Sequence, residues 1–185
     1  MRSIVLSLAV VAVAACATTH PATPAPDAIT PDEYAIYRRV LEDSLADEPV
    51  FVIAMAGAVQ GADPIASLTE DRELQVAFTA ASRLRAVSAT DLRVPRARVI
   101  ADPGFAGWPT PLGEQERRWE QLRAQYGAHA TFVHFSRVGF SRDRTRAIVI
   151  YSARSGPACN FGLFSAVYQR ERGRWEPVAN SASFC

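Results

Sequence analysis

The spacing of apolar residues divides this chain into a helical first part and a strand-rich last third. Tyr34, Tyr37, Leu41 and Leu45 recur at the three-to-four-residue interval that places them on one helix face. The start of that helix is written in Thr30-Pro31-Asp32-Glu33. Thr30 can cap it, Glu33 completes a capping box three residues on, and Pro31 takes the first helical position. Pro49 closes the segment. Val50 to Ala56 is a short apolar run, most simply a buried strand, and Gly57 and Gly61 end it. A second helix is predicted from about Glu70 to Val87, with Leu74, Ala77, Phe78, Ala81 and Leu84 on one face. A third runs from about Glu114 to Tyr126, with Trp119, Leu122 and Tyr126 on one stripe and Gly127 where a left-handed cap would need it. Between these two helices lie about 25 residues of weak periodicity, broken by one candidate strand at Ala97 to Ala101.

The last third changes period. Thr131 to Phe140, Arg146 to Ala153, Phe161 to Arg170 and Arg174 to Ser181 are rich in valine, isoleucine, phenylalanine and tyrosine. Ser141-Arg142-Asp143-Arg144, Ser155-Gly156-Pro157 and Arg172-Gly173 separate them as turns. The pattern predicts an α+β fold, with about three helices packed on an antiparallel β-meander of four to five strands. There is no internal repeat.

The first sixteen residues follow another logic. One arginine precedes the apolar run Ile4 to Val13, and small residues stand just before Cys16, which is the pattern of a secretory signal. A run of about ten apolar residues is too short to span a bilayer, which needs roughly 20. Val13-Ala14-Ala15-Cys16 resembles a bacterial lipobox. That resemblance implies a signal peptide over 1–15 and a lipidated Cys16 as the first mature residue. The alternative is an ordinary signal peptide, with Cys16 incidental. An aspartate after the cysteine is the residue linked to inner-membrane retention, and here Ala17 stands there. The resemblance therefore implies the outer membrane of a Gram-negative host, facing the periplasm. Residues 16–30 read as the anchor and a tether in which Pro21, Pro24 and Pro26 favour extended backbone, reaching roughly 40 Å at about 3.1 Å per residue. His20 is a solvated tether residue. Residues 31–185 form a single globular domain. Their C-terminal part resembles uncharacterised secreted and lipoprotein domains of bacteria, through Gly139-Phe140, the alternating strand Arg146 to Ala153, Gly156-Pro157-Ala158-Cys159 and Gly173-Arg174-Trp175. That resemblance covers about 45 residues and brings no activity with it.

With 49% hydrophobic and 21% charged residues, the chain has the composition of an ordinary globular protein. A net charge of +1 gives no general attraction to nucleic acid, and secretion removes the opportunity. All 20 basic residues are arginine. Chemistry that requires a lysine, such as a Schiff base or a phosphate-loop amine, is therefore excluded. From Gly127 onward, Arg137, Arg142, Arg144, Arg146, Arg154, Arg170, Arg172 and Arg174 face only Asp143, Glu171 and Glu176. Such a segment could present a basic face to anionic envelope polymers or lipid head groups, or merely solvate strand edges.

Assigning Cys16 to lipid leaves Cys159 and Cys185, an even pair in an oxidising compartment. A hairpin centred on Arg172-Gly173 sets the two within one residue of direct opposition, and a three-residue loop over Glu171 to Gly173 would pair them. A Cys159–Cys185 disulfide is therefore expected, with a catalytic Cys159 as the rival reading.

No catalytic motif, phosphate loop or dinucleotide fingerprint is present, and no cofactor or metal is implied. His129 and His134, five residues apart, would project to opposite faces of one strand, against a shared metal. The acidic pair Glu70-Asp71 fits the start of the second helix. The best ligand-site candidate is the loop Asp102 to Pro111, where Phe105 and Trp108 sit in a glycine–proline frame and serve either as a recognition surface or as core plugs. His134, between aromatic residues, is a further candidate. Two function classes follow. One is a non-catalytic, lipid-anchored envelope domain that binds a protein or polymer. The other is a small periplasmic hydrolase with dispersed residues, using His134 with a serine or acid brought close by folding.

Overall fold

A computed structural model of the chain describes residues 28–44, 49–57, 69–81, 83–105, 111–157 and 161–184. The expected signal peptide, Cys16 and most of the expected tether lie outside the described residues, as do Trp108, Cys159 and Cys185. The capping box forms as read. Thr30 N donates to Glu33 Oε2 at 2.9 Å and Glu33 N to Thr30 Oγ1 at 3.3 Å. Helix α1 follows over Pro31–Ser44. Its apolar face, Tyr34, Ile36, Tyr37, Val40 and Leu41, is buried, each side chain stabilising the fold by about 1.5–3 kcal/mol.

The strands are β1 (Val50–Ile53), β2 (Met55–Ala56), β3 (Arg85–Ala86), β4 (Ala97–Ile100), β5 (Thr131–Phe135), β6 (Gly139–Phe140), β7 (Arg146–Arg154), β8 (Phe161–Glu171) and β9 (Arg174–Phe184). Seven of them build one mixed sheet in the order β4-β1-β5-β7-β8-β9, with β6 beside β7; β2 and β3 form a separate small pair. β1 runs parallel to both β4 and β5, while β5, β7, β8 and β9 are antiparallel neighbours. The expected meander is therefore only part of the sheet. The strands at Val50 and Ala97 are where the sequence placed them, but their parallel pairing is not written in it, because the crossovers are long and β1, buried on both faces, is apolar throughout rather than alternating.

Two layers of helix cover this sheet. On one face, α1 and the short helix α3 (Ala89–Leu92) pack over Val50, Val52, Val133, Phe135, Val149 and Tyr151. Tyr37 stacks on Phe135 with ring centroids 4.4 Å apart, and its hydroxyl donates to the Ser136 carbonyl at 2.8 Å. On the other face, helix α4 (Leu112–Tyr126) presents Trp119 and Leu122 to Phe51 and Phe132. Helix α2 (Arg72–Ala80) sets Leu74 against Ile148 and Val167. Asp71 caps α2 by accepting from Glu73 N and Leu74 N at 2.9 and 3.3 Å, so Glu70-Asp71 does mark a helix start.

Several boundaries differ from the sequence reading. There are four helices among the described residues rather than three. The second ends at Ala80 instead of reaching Val87, and Arg85–Ala86 turns to strand. Gly127 does carry a positive φ of 104°, but with ψ at 158° it is not a left-handed cap. The strand read over Thr131 to Phe140 breaks at Ser136-Arg137-Val138. There Ile150 N donates to the Ser136 hydroxyl at 2.9 Å, so a side chain replaces a ladder acceptor and Arg137 turns inward. Gly139 then admits α2 closely, since a Cβ there would stand 2.5 Å from Phe78 N and 2.6 Å from its Cα. The β8–β9 turn is the two-residue Arg172-Gly173, both at positive φ, not a three-residue loop. A bulge at Val167/Tyr168 shifts the register once more, and the last described pair is Gly162 opposite Phe184.

Candidate functional site

The described half of the Asp102–Pro111 loop is folded inward. The Asp102 carboxylate accepts from Gly104 N at 3.0 Å and Phe105 N at 2.8 Å, and Gly104 takes a φ of 99° to close the turn. Arg118 Nη2 on α4 donates to the Pro103 carbonyl at 2.5 Å. Phe105 meets Phe132 edge-on at 5.2 Å, with the Arg154 guanidinium 5.4 Å from its ring centroid. Phe105 is therefore a partner in the α4-side aromatic cluster. It fits the core-plug reading of this loop, and Trp108 lies outside the described residues.

His134 lies two residues beyond Phe132 on β5 and shares its face of the sheet. It is half-buried, with the Met55 backbone and Asp102 within electrostatic reach. The β5–β7 register sets Ser152 directly opposite it. Folding thus brings together a histidine, a serine and an acid from three elements. Among the described residues, however, no hydrogen bond joins Ser152 to His134. His129 falls in the turn before β5 and is exposed, so the two histidines do not share a strand.

Burial lowers the His134 pKa from its ordinary 6.5, against the opposing pull of Asp102 and the Met55 backbone. As pH falls through 6.5, the unfolded chain takes up a proton that the folded imidazole accepts only at lower pH. Stability contributed by the neutral form is therefore whole above 6.5 and declines with acidification below it. His134→Gln removes this term. The loss of melting temperature between about pH 7 and about pH 5 is expected to be smaller in the variant than in wild type. An unchanged loss would mean that His134 titrates alike in both states.

Four of the eight arginines in the tail are met by acids from the first part of the chain. Arg137 Nε and Nη2 donate to the two Glu33 oxygens at 2.6 and 3.1 Å, with both residues buried. Arg144 pairs with Asp32 at 2.9 Å, Arg170 approaches the same carboxylate at 3.7 Å, and Arg146 pairs with Asp71. The charge asymmetry along the sequence is thus partly resolved within the fold, acids at the helix starts against arginines of the last third.

Two clefts among the described residues gather charged side chains. A cleft of about 150 Å³ opens between the start of α1, the segment leading into β3, and the β6–β7 turn. Arg83, Arg85, Arg137 and Arg144 line it, Glu33 is the one carboxylate in its wall, and Val138 and Phe140 are among its apolar lining. A second groove, of about 360 Å³, runs between α1 and the β8–β9 turn. Arg38, Arg39 and Arg174 line it with Glu42 and Glu176, and Arg39 pairs with Asp43 at 3.1 Å and Glu176 at 3.0 Å. Neither cleft includes Phe105 or His134. Arg83 and Arg85 escaped the sequence reading because an Arg-x-Arg at a helix end looks like any solvated terminus. Only the fold places them beside residues more than fifty positions away.

No known protein family, curated protein or solved structure matches this chain.

Proposed function

We propose that this protein is a lipid-anchored domain of the bacterial cell envelope that binds another envelope component and performs no chemistry itself. Cys16 is the lipid attachment site, residues 17–30 are the tether, and the domain is held at the outer membrane on its periplasmic side. Two or more acyl chains hold a protein stably to a bilayer, so such an anchor fixes the address. The observation that carries the binding role is the arginine-lined cleft. Thr30, at the start of the folded domain, is part of its wall, and Arg83, exposed there, has no carboxylate partner among the described residues. The partner is an envelope protein, polymer or lipid surface with negative charge, and nucleic acid is not one. A Cys159–Cys185 disulfide is part of this proposal; both cysteines lie outside the described residues, and the bulge at Val167/Tyr168 moves the register one residue further from opposing them.

Intact mass of the chain extracted from bacterial membranes tests the address. The expected product begins at Cys16, carries acyl groups, and takes up no alkylating reagent at Cys159 or Cys185. An unmodified Cys16 would sink the anchor, and two free thiols the bridge. Crosslinking in intact cells, followed by purification, tests the role, with one dominant envelope partner expected.

A second reading, hydrolysis with His134 as base, draws on the register that sets Ser152 opposite it and on nearby Asp102. A nucleophile and its base need to approach within about 2.6–3.2 Å. Repeating the crosslinking with His134→Gln separates the two, because partner capture survives the change only if the role is binding.

A further inference from the structure

We propose that β9 is the joint at which two copies of this chain associate, their β9 strands pairing antiparallel about Asn180 so that two sheets become one. This goes beyond the binding reading and does not depend on the anchor. β9 ends the path of the sheet and, among the described strands, pairs on one side only, with β8. Alternate residues of such an edge strand turn both N–H and C=O away from the neighbour. Among the described residues, no backbone hydrogen bond from outside the β8–β9 ladder reaches them. At 11 residues, β9 is about twice the usual strand length, and its edge is not blunted by charge. Pro177, Val178 and residues 180–183 are exposed, Val178 at 52%. No charged residue falls within 177–183. The other end of the sheet is built differently. β4 has four residues with Arg98 exposed among them, the short and charged kind of edge that resists pairing.

An extended edge accepts another extended strand, because only that supplies donors and acceptors at matching intervals. Charge then selects the copy and its direction. A strand uncharged over 177–183 meets itself there without repulsion. Parallel pairing in register would set Arg174 against Arg174 and Glu176 against Glu176, and like charges directly opposite are destabilising. The antiparallel sense sends these charged starts to opposite ends of the joint. Pro177 marks where each end falls, since it has no N–H to donate across an edge. Asn180 is the midpoint of 177–183. A twofold axis there places Pro177 of each copy opposite Ser183 of the other, and Val178 opposite Ala182. At about 3.4 Å per residue, the joint spans roughly 24 Å. Both copies use the same strand, so no β9 edge is left over and assembly stops at two. A joint limited to one strand edge is a small interface, so the dimer is reversible and forms with rising concentration.

The test is sedimentation equilibrium of the purified full chain carrying Cys16→Ser, so that no acyl chain contributes, from low to high micromolar concentration. A monomer–dimer equilibrium is expected. Val178→Lys/Ala182→Lys sets lysine against lysine twice across the axis, and should weaken association by about tenfold or more. Both positions are exposed, so the melting temperature of the dilute protein should stay unchanged. Asn180→Lys, which sets one lysine against its own copy, provides the same readout if the double variant does not fold. Amide hydrogen exchange locates the joint. Exchange over 178–183 should slow with rising concentration in the parent chain and not in the variant. A chain that stays monomeric throughout would overturn the proposal. So would a dimer that the variant forms equally well, with exchange in β9 unchanged by concentration. Species that keep growing beyond two copies would overturn the closed twofold joint.

Discussion

Glu33→Ala is expected to destabilise the folded chain by about 3–5 kcal/mol, the cost of leaving one partner of a buried ion pair uncompensated. Glu33 is 2% exposed and Arg137 8%, so the guanidinium left behind has little access to water. The same carboxylate also closes the capping box of α1, whose loss adds about 1 kcal/mol. Urea unfolding at neutral pH measures the sum. Arg137→Ala should cost a similar amount, and the double change Glu33→Leu/Arg137→Leu should recover most of it, since apolar replacement of a whole buried pair is often neutral or better. Asp32→Ala is the control. It removes a pair in which Arg144 is 48% exposed at the side chain, and it should cost less than about 1 kcal/mol. If Glu33→Ala cost no more than Asp32→Ala, the pair would be behaving as a surface bridge.

Phe132→Ala should be comparably damaging, at about 3–5 kcal/mol, through loss of buried area and the cavity left behind. Phe132 is 2% exposed and is the hub of the α4-side cluster. Its ring meets Phe51 at 5.5 Å, Phe105 and Tyr126 each at 5.2 Å, and Trp119 at 5.7 Å. Phe105→Ala removes one spoke and should cost clearly less. The pair of melts therefore bears on whether Phe105 serves the core or a ligand. A Phe105→Ala variant as unstable as Phe132→Ala would make it core throughout. One with unchanged stability would detach it from the cluster and return it to the candidate recognition residues.

Local signals were legible where they act locally. Thr30 and Glu33 sit three residues apart, and the cap they form needs nothing from the rest of the chain. Arg172-Gly173 was readable for the same reason, because two residues at positive φ define the turn. By contrast, the identity of Glu33 as an ion-pair residue depends on Arg137, 104 positions away, and no local pattern encodes that distance. His134 could be picked out as unusual, but not its neighbours. Ser152 reaches it through strand register and Asp102 through the loop after β4. The arginine cleft was invisible for a related reason: its walls come from α1, the segment before β3, and the β6–β7 turn.

The sequence by itself determined the α+β class, α1 with its cap, the α4 stripe of Trp119 and Leu122, and the antiparallel β7–β8–β9 run, because each is specified by periodicity or by a short turn. Only the tertiary structure decided that β1 lies parallel between β4 and β5, that helices cover both faces of the sheet, and that acids of the first part pair with arginines of the last. Those features come from long crossovers and from burial. Burial rewards whichever distant partners complete a core or neutralise a charge, and spacing along the chain says little about which partners those are.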